Sequence, residues 1–139
     1  MQNLPKLIIH TDGGARGNPG PAAVGVVIET GQETLAAFGQ KIQTTTNNVA
    51  EYKAVLVAFT YLKNRGIRSA LVEVYLDSTL VAQQLNRKFK IKKPHLQVLF
   101  NQVKLLEKGV GERVTYFVIP REKNTQADAF VNQSLDCLD

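Results

Sequence analysis

The hydrophobic period of the chain first changes at Asn47, and that change restricts the fold more than any other feature. Before it, residues 5–11 (PKLIIHT) and 22–29 (AAVGVVIE) are short β-branched runs separated by DGGARGNPGP, which holds four glycines and two prolines. Runs of this kind bounded by turn formers read as strands. Residues 33–43 (ETLAAFGQKIQ) give a third strand, joined to the second through Thr30, Gly31 and Gln32. The first third is therefore an antiparallel meander. From Asn47 the apolar residues Ala50, Ala54, Val57, Ala58, Tyr61 and Leu62 follow helical spacing until Gly66 supplies a stop.

Beyond Gly66 strand and helix patterns alternate. A fourth strand is expected over 70–76, a short helix over 78–85, a helix over 95–107 opened by Pro94, a fifth strand over 113–119 ended by Pro120, and a last helix over 125–135. Strands first, then alternation, implies an α/β architecture: a mixed sheet with helices packed on it. At 139 residues the chain is expected to form one domain, and 44% apolar with 21% charged residues excludes disorder and fibrous repeats. Its short apolar runs and its N-terminus MQNLPKLIIH resemble neither a membrane span nor a signal peptide, so a soluble, cytoplasmic protein without a membrane partner is expected. The single cysteine, Cys137, has no partner for an internal disulfide or a thiolate metal site.

The net charge of +5 favours a polyanionic partner. Among the 12 acids, Asp12, Glu51, Asp77 and Asp128 stand where strands end or helices begin. Each has an ordinary alternative. Asp12 suits a hydrogen-bonding position in a DGG turn, and Asp77 a helix cap before Ser78 and Thr79. Glu51 follows Asn48 by three, as in a capping arrangement, although Val55, Ala58 and Leu62 share its helical face. Asp128 follows Thr125 by three, again as in a capping box. Together they point elsewhere. Carboxylates gathered at one sheet edge repel and desolvate one another unless cations neutralise them, and Mg2+ is held by carboxylates, water and substrate phosphate without His or Cys.

The segments TDGGARGNPGPAAVG around Asp12, TTNNVAEYKA around Glu51, YLDSTLV around Asp77 and PREKNTQADAFVN around Asp128 resemble the type 1 ribonuclease H family, in the family's order and over almost the whole chain. The resemblance implies a ribonuclease H-like fold whose five-stranded mixed sheet has the order 3-2-1-4-5. It implies a metal-dependent endonuclease that hydrolyses the RNA strand of RNA/DNA hybrids to 5′-phosphate and 3′-hydroxyl products. Asp12, Glu51, Asp77 and Asp128 match the family's catalytic metal ligands, for two Mg2+ ions with substrate bound, and Mn2+ is expected to substitute.

The resemblance also implies a substrate surface. Asn18, Asn47 and Asn48 match minor-groove contacts, Thr46 a residue that contacts a DNA-strand phosphate, and the glycines from Gly13 and Gly14 to Gly17 a backbone that approaches the RNA strand. Helix capping is the alternative for Asn47 and Asn48. Two departures stand out. The histidine that bacterial members often carry before the last Asp is missing from the stretch 120–124, which leaves Arg121, Glu122 and Asn124 as auxiliary candidates. His10 shares strand parity with Asp12 but reads first as a structural histidine. The family's basic handle shrinks to Arg87, Lys88, Lys90, Lys92 and Lys93 with Phe89 and Ile91 interleaved. A shortened hybrid-binding segment is expected there, against a merely solvated loop. The rival functions are a nuclease for DNA junctions or ends on the same scaffold, and a non-catalytic hybrid-binding module. A monomer is expected, since no coiled-coil or other dimer signal is present.

Overall fold

The computed structural model describes residues 2–137. In chain order the elements are β1 (Gln2–Ala15), β2 (Gly20–Thr30), β3 (Glu33–Thr45), α1 (Asn47–Asn64), β4 (Ile67–Leu76), α2 (Thr79–Leu85), α3 (Pro94–Val110), β5 (Gly111–Val118) and α4 (Thr125–Asp136), with a 3-10 turn at Arg121–Lys123. The strands form one sheet in the order β3-β2-β1-β4-β5. β1 runs antiparallel to β2 and parallel to β4, β2 antiparallel to β3, and β4 parallel to β5. The expected five-stranded α/β architecture is therefore present.

One boundary differs in a way that matters. β1 does not stop before the glycines: the ladder with β2 continues through Asp12↔Gly25, Gly13↔Val24, Gly14↔Ala23 and Ala15↔Ala22. Asp12 is thus a strand residue and the DGG turn does not exist. A side chain at Gly13 would place its Cβ 2.2 Å from the Ala50 backbone, and one at Gly25 would lie 2.0 Å from the Ala127 carbonyl oxygen. These two positions let α1 and α4 press against the sheet beside Asp12. Glycine here permits close approach.

The helices cover the sheet unequally. α1 packs on β1 and β2 with α3 stacked against it, while α4 packs on β2 and β3. β2 is consequently covered on both sides and buried from Ala22 through Ile28, so its sequence is a continuous apolar run. β4 instead alternates buried and partly buried residues, because only one of its faces is covered. Leu7, Ile9, Val26, Ile28, Val72 and Val74 meet Tyr52, Val55, Phe59 and Leu62 of α1 in the main core. Among the described residues no helix is long and apolar enough to cross a membrane.

Candidate active site

The register pairs His10 of β1 with Tyr75 of β4, so Asp12 and Asp77, each two residues further on, leave neighbouring parallel strands at the same end of the sheet. Crevices outside such carboxyl ends are where ligands bind in α/β sheets. None of the capping roles open to the other acids is realised. The N-cap of α1 is Thr46, whose hydroxyl accepts from the Val49 N–H at 3.4 Å, and Glu51 lies in the second turn, away from the cap. α2 is capped by Ser78, which accepts from Val81 N–H at 3.2 Å, leaving Asp77 outside the cap. α4 begins after Asn124, and Thr125 is already helical, so no capping box involves Asp128. Freed of local duties, the acids converge.

Asp12, Glu51 and Asp77 each offer an oxygen within 4.8 Å of the other two. Asp12 and Glu51 are only 7% and 6% exposed, so little water shields their mutual repulsion. Glu51 accepts a short hydrogen bond from the Gly13 N–H, which locks its carboxylate against β1. Its other oxygen, Oε2, and Oδ2 of Asp77 are buried without a partner. Burial, then the charge of Asp77, pushes the Asp12 carboxyl up to about 7. Burial likewise raises Glu51 well above the usual carboxylate range, with Asp12 adding to it. Asp77 is raised less, because a hydrogen bond from Asn124 and the charge of Arg121 counter its burial. Asp128 lies outside the close group but beside Asp12, on which it acts by charge and hydrogen bond. It is half-buried and held by the Asn132 amide at 3.3 Å. Orphaned oxygens on an all-oxygen donor set, with protons held unusually tightly, fit a hard divalent cation.

A second group of residues adjoins the acids. Asn18 accepts from the Asn47 N–H at 3.0 Å, and the Asn47 side chain accepts from the Ala15 N–H at 2.9 Å, which fastens the loop after β1 to the start of α1. Asn18, Thr46, Asn47 and Asn48 line a cavity of about 170 Å³ together with Lys93 and His95. Asn48 also borders a larger groove of about 490 Å³, walled by Lys88, Lys90, Lys92 and Lys93 with Phe89 and Leu96. The glycine-proline loop, the TTNN turn and the basic segment thus form one continuous surface. Arg87 stands apart from both cavities, its guanidinium over the Phe100 ring at 5.3 Å. Gly13 has its N–H on Glu51 and its α-carbon against the Ala50 backbone, whereas a Cβ at Gly14 would meet only a Val131 methyl at an ordinary 3.5 Å.

The auxiliary candidates separate. Arg121 lines a depression of about 400 Å³ with Asp77 and Thr79. Glu122 is exposed and forms no hydrogen bond or ion pair with the described residues. Asn124 is buried, donating to the Thr11 carbonyl at 2.8 Å as well as to Asp77. His10 stacks on Tyr75 with ring centroids 5.2 Å apart and is not among the clustered ligands. Burial lowers its pKa, as expected for a structural histidine. Sequence reasoning passed over His95, which only the fold brings beside Asn18, and Gln84, which lies beneath the basic groove.

Residues 10–134 match the family model described as reverse transcriptase-like. The chain is 38% identical over 133 residues to the bifunctional protein Rv2228c of Mycobacterium tuberculosis, covering 94% of this chain but 36% of that protein. It therefore spans about a third of the length of that relative. Ribonuclease HI of Halobacterium salinarum is 37% identical over 129 residues, covering 91% of this chain and 63% of the relative. The crystal structure of the Halobacterium ribonuclease H1 superposes with a TM-score of 0.86 at 34% identity, covering 94% of this chain and 98% of that one. LC11 ribonuclease H1, solved in complex with an RNA/DNA hybrid, gives a TM-score of 0.88 at 41% identity, covering 94% and 96%. With its sheet order and the grouping of its acids, this chain belongs to the type 1 ribonuclease H family.

Proposed function

We propose that the protein is a metal-dependent endonuclease that hydrolyses the RNA strand of RNA/DNA hybrids, leaving 5′-phosphate and 3′-hydroxyl ends. The observation that carries this is the close group of Asp12, Glu51 and Asp77 with unpartnered buried oxygens, set beside the surface made by Asn18, Thr46, Asn47 and Asn48. Asp12, Glu51 and Asp77 would hold divalent cations with Asp128 completing the set. Mg2+ is the expected ion, two with substrate bound, and Mn2+ the substitute. When bound, such ions supply an activated water and neutralise charge at the scissile phosphate.

The chain's own groups do the rest. The Gly13 N–H fixes one Glu51 oxygen and leaves the other free toward the centre. Asn18 and Asn47 spend their carbonyl oxygens on the backbone, and among the described residues their amide N–H groups have no partner. Amide donors at a groove edge suit the 2′-hydroxyls by which RNA differs from DNA. Thr46, Lys93 and the basic segment supply contacts to backbone phosphate, so recognition is expected to tolerate sequence.

Labelled RNA/DNA hybrid, double-stranded RNA, double-stranded DNA and single-stranded RNA, each with Mg2+ or a chelator, test this reading. Metal-dependent cleavage of the hybrid's RNA strand is expected. Equal cutting of the DNA duplex would contradict the substrate, and binding without cleavage would favour a non-catalytic module.

A further inference from the structure

The basic segment is exposed in its side chains but not loose in its backbone. Asn86, which ends α2, donates through Nδ2 to the Tyr116 carbonyl at 2.8 Å and accepts the Tyr116 N–H at 3.2 Å, extending the edge of β5 by one amide side chain. Arg87 then adopts a left-handed backbone with φ 63°, uncommon for a residue with a side chain. The N–H groups of Lys88 and Phe89 both return to the Gln83 carbonyl, at 2.8 and 3.1 Å. Ile91 packs against the core. A merely solvated loop needs none of these anchors.

The anchor nearest the acids is Gln84. It is 3% exposed, and its Oε1 accepts the Tyr52 hydroxyl at 2.6 Å while its Nε2 donates to the Lys90 carbonyl at 3.3 Å. Tyr52 is fully buried and directly follows Glu51 on α1. A single buried amide therefore spans from the turn of helix that carries Glu51 to the centre of the basic segment. Buried polar groups of this kind fix geometry, because any other arrangement leaves a donor or acceptor unpaired.

We propose that Gln84 is a positioning residue, coupled to Tyr52, that sets the distance between the carboxylate centre and the lysines which grip the hybrid backbone. This rests on the reading of the basic segment as a hybrid contact. The amide does not touch substrate. It holds the Lys90 main chain at a fixed place relative to Glu51, so that a phosphate bound by the segment and a phosphate at the acids belong to the same duplex register.

Steady-state cleavage of a hybrid long enough to reach both regions, over a range of salt concentrations, tests this with Gln84→Met, Tyr52→Phe and a triple Lys90, Lys92, Lys93→Ala variant. Gln84→Met is expected to raise KM by about fivefold, the scale of a displaced phosphate contact, with kcat within about twofold of the original and a flatter salt dependence. Tyr52→Phe, which keeps the ring, is expected to act in the same direction more weakly. In the triple-lysine background Gln84→Met is expected to change KM no further. A KM unchanged by Gln84→Met, or raised equally with the lysines absent, overturns the positioning role. Should Gln84→Met fail to fold, Tyr52→Phe decides by the same KM criterion. If the triple variant itself keeps the original KM and salt slope, the hybrid contact is wrong and the positioning role falls with it. A triple variant that binds weakly beside an unaffected Gln84→Met removes the positioning role alone.

Discussion

Two clusters of like charge define this molecule, and they are built in opposite ways. Asp12, Glu51 and Asp77 are drawn into a dehydrated corner between β1, α1 and β4, where repulsion is strong and protons are held tightly. The lysines of the basic segment keep their side chains exposed while the main chain beneath them is pinned. Exposed cations repel weakly through water and are screened by salt, whereas buried carboxylates are not. On the proposed function, cations would complete the acidic centre, whereas the basic segment, its main chain already pinned, would need only phosphate.

The comparison breaks most sharply at the acids. Asp12→Asn or Asp77→Asn is expected to lower turnover by roughly a thousandfold, the scale of losing preorganised charge stabilisation, with circular dichroism and cooperative unfolding retained. Near-normal turnover in either variant would place the chemistry elsewhere. Gly13→Ala comes next. Its new Cβ would lie 2.2 Å from the Ala50 backbone, forcing α1 away and moving Glu51 with it. A stability loss of about 1–3 kcal/mol is expected from overpacking, with a fall in kcat measured well below the unfolding temperature.

How much of this was legible beforehand depends on the range of the interaction. The strands, the helices and the placing of the four acids at element ends follow from local pattern, while the sheet order came with the family resemblance, and the sheet has that order. The caps did not come through, because adjacent residues are equally able to cap. Thr46 rather than Asn48, Ser78 rather than Asp77, and Asn124 rather than Thr125 take the position just before each helix. A DGG sequence signals a turn when glycine serves positive φ; here Gly13 serves the approach of Ala50, which lies 37 residues away in the chain. The Tyr52–Gln84 pair and the place of His95 beside Asn18 are likewise products of folding. Nothing in a one-dimensional pattern marks them.

A smaller effect sharpens the contrast from the basic side. Replacing Lys90, Lys92 and Lys93 is expected to weaken hybrid binding without touching the acids, and to reduce the magnitude of the log Kd against log salt slope by about 2–3. An unchanged slope would return the segment to a solvated loop.

The remaining effect is on stability and pH. The Asp12 pKa of about 7 in the fold lies above the value of about 3.9 for an unfolded aspartate, so the native state holds the extra proton between them. The stabilisation tied to that proton is full below pH of about 4 and is lost as pH rises through about 7. In metal-free protein at pH 8, Asp12→Asn is therefore expected to be more stable than the original by on the order of 2 kcal/mol, with the advantage shrinking toward pH 4. Mg2+ is expected to raise the unfolding temperature of the original protein more at pH 8 than at pH 6, since its ligands must be deprotonated. Denaturant unfolding at pH 4 and pH 8 checks the first, and thermal scans with and without Mg2+ at pH 6 and pH 8 check the second. An advantage for Asp12→Asn that grew on acidification would contradict the buried-carboxylate account.

On the proposed function, Asp12, Glu51 and Asp77 would hold divalent cations that supply an activated water for an RNA phosphate within a hybrid. Analysis of the ends produced from an internally labelled RNA/DNA hybrid in Mg2+ addresses it most directly. Water as the nucleophile leaves a 5′-phosphate and a 3′-hydroxyl that a polymerase can extend, and that result is expected. Fragments ending in a 2′,3′-cyclic phosphate would show attack by the RNA's own 2′-hydroxyl, and would contradict it.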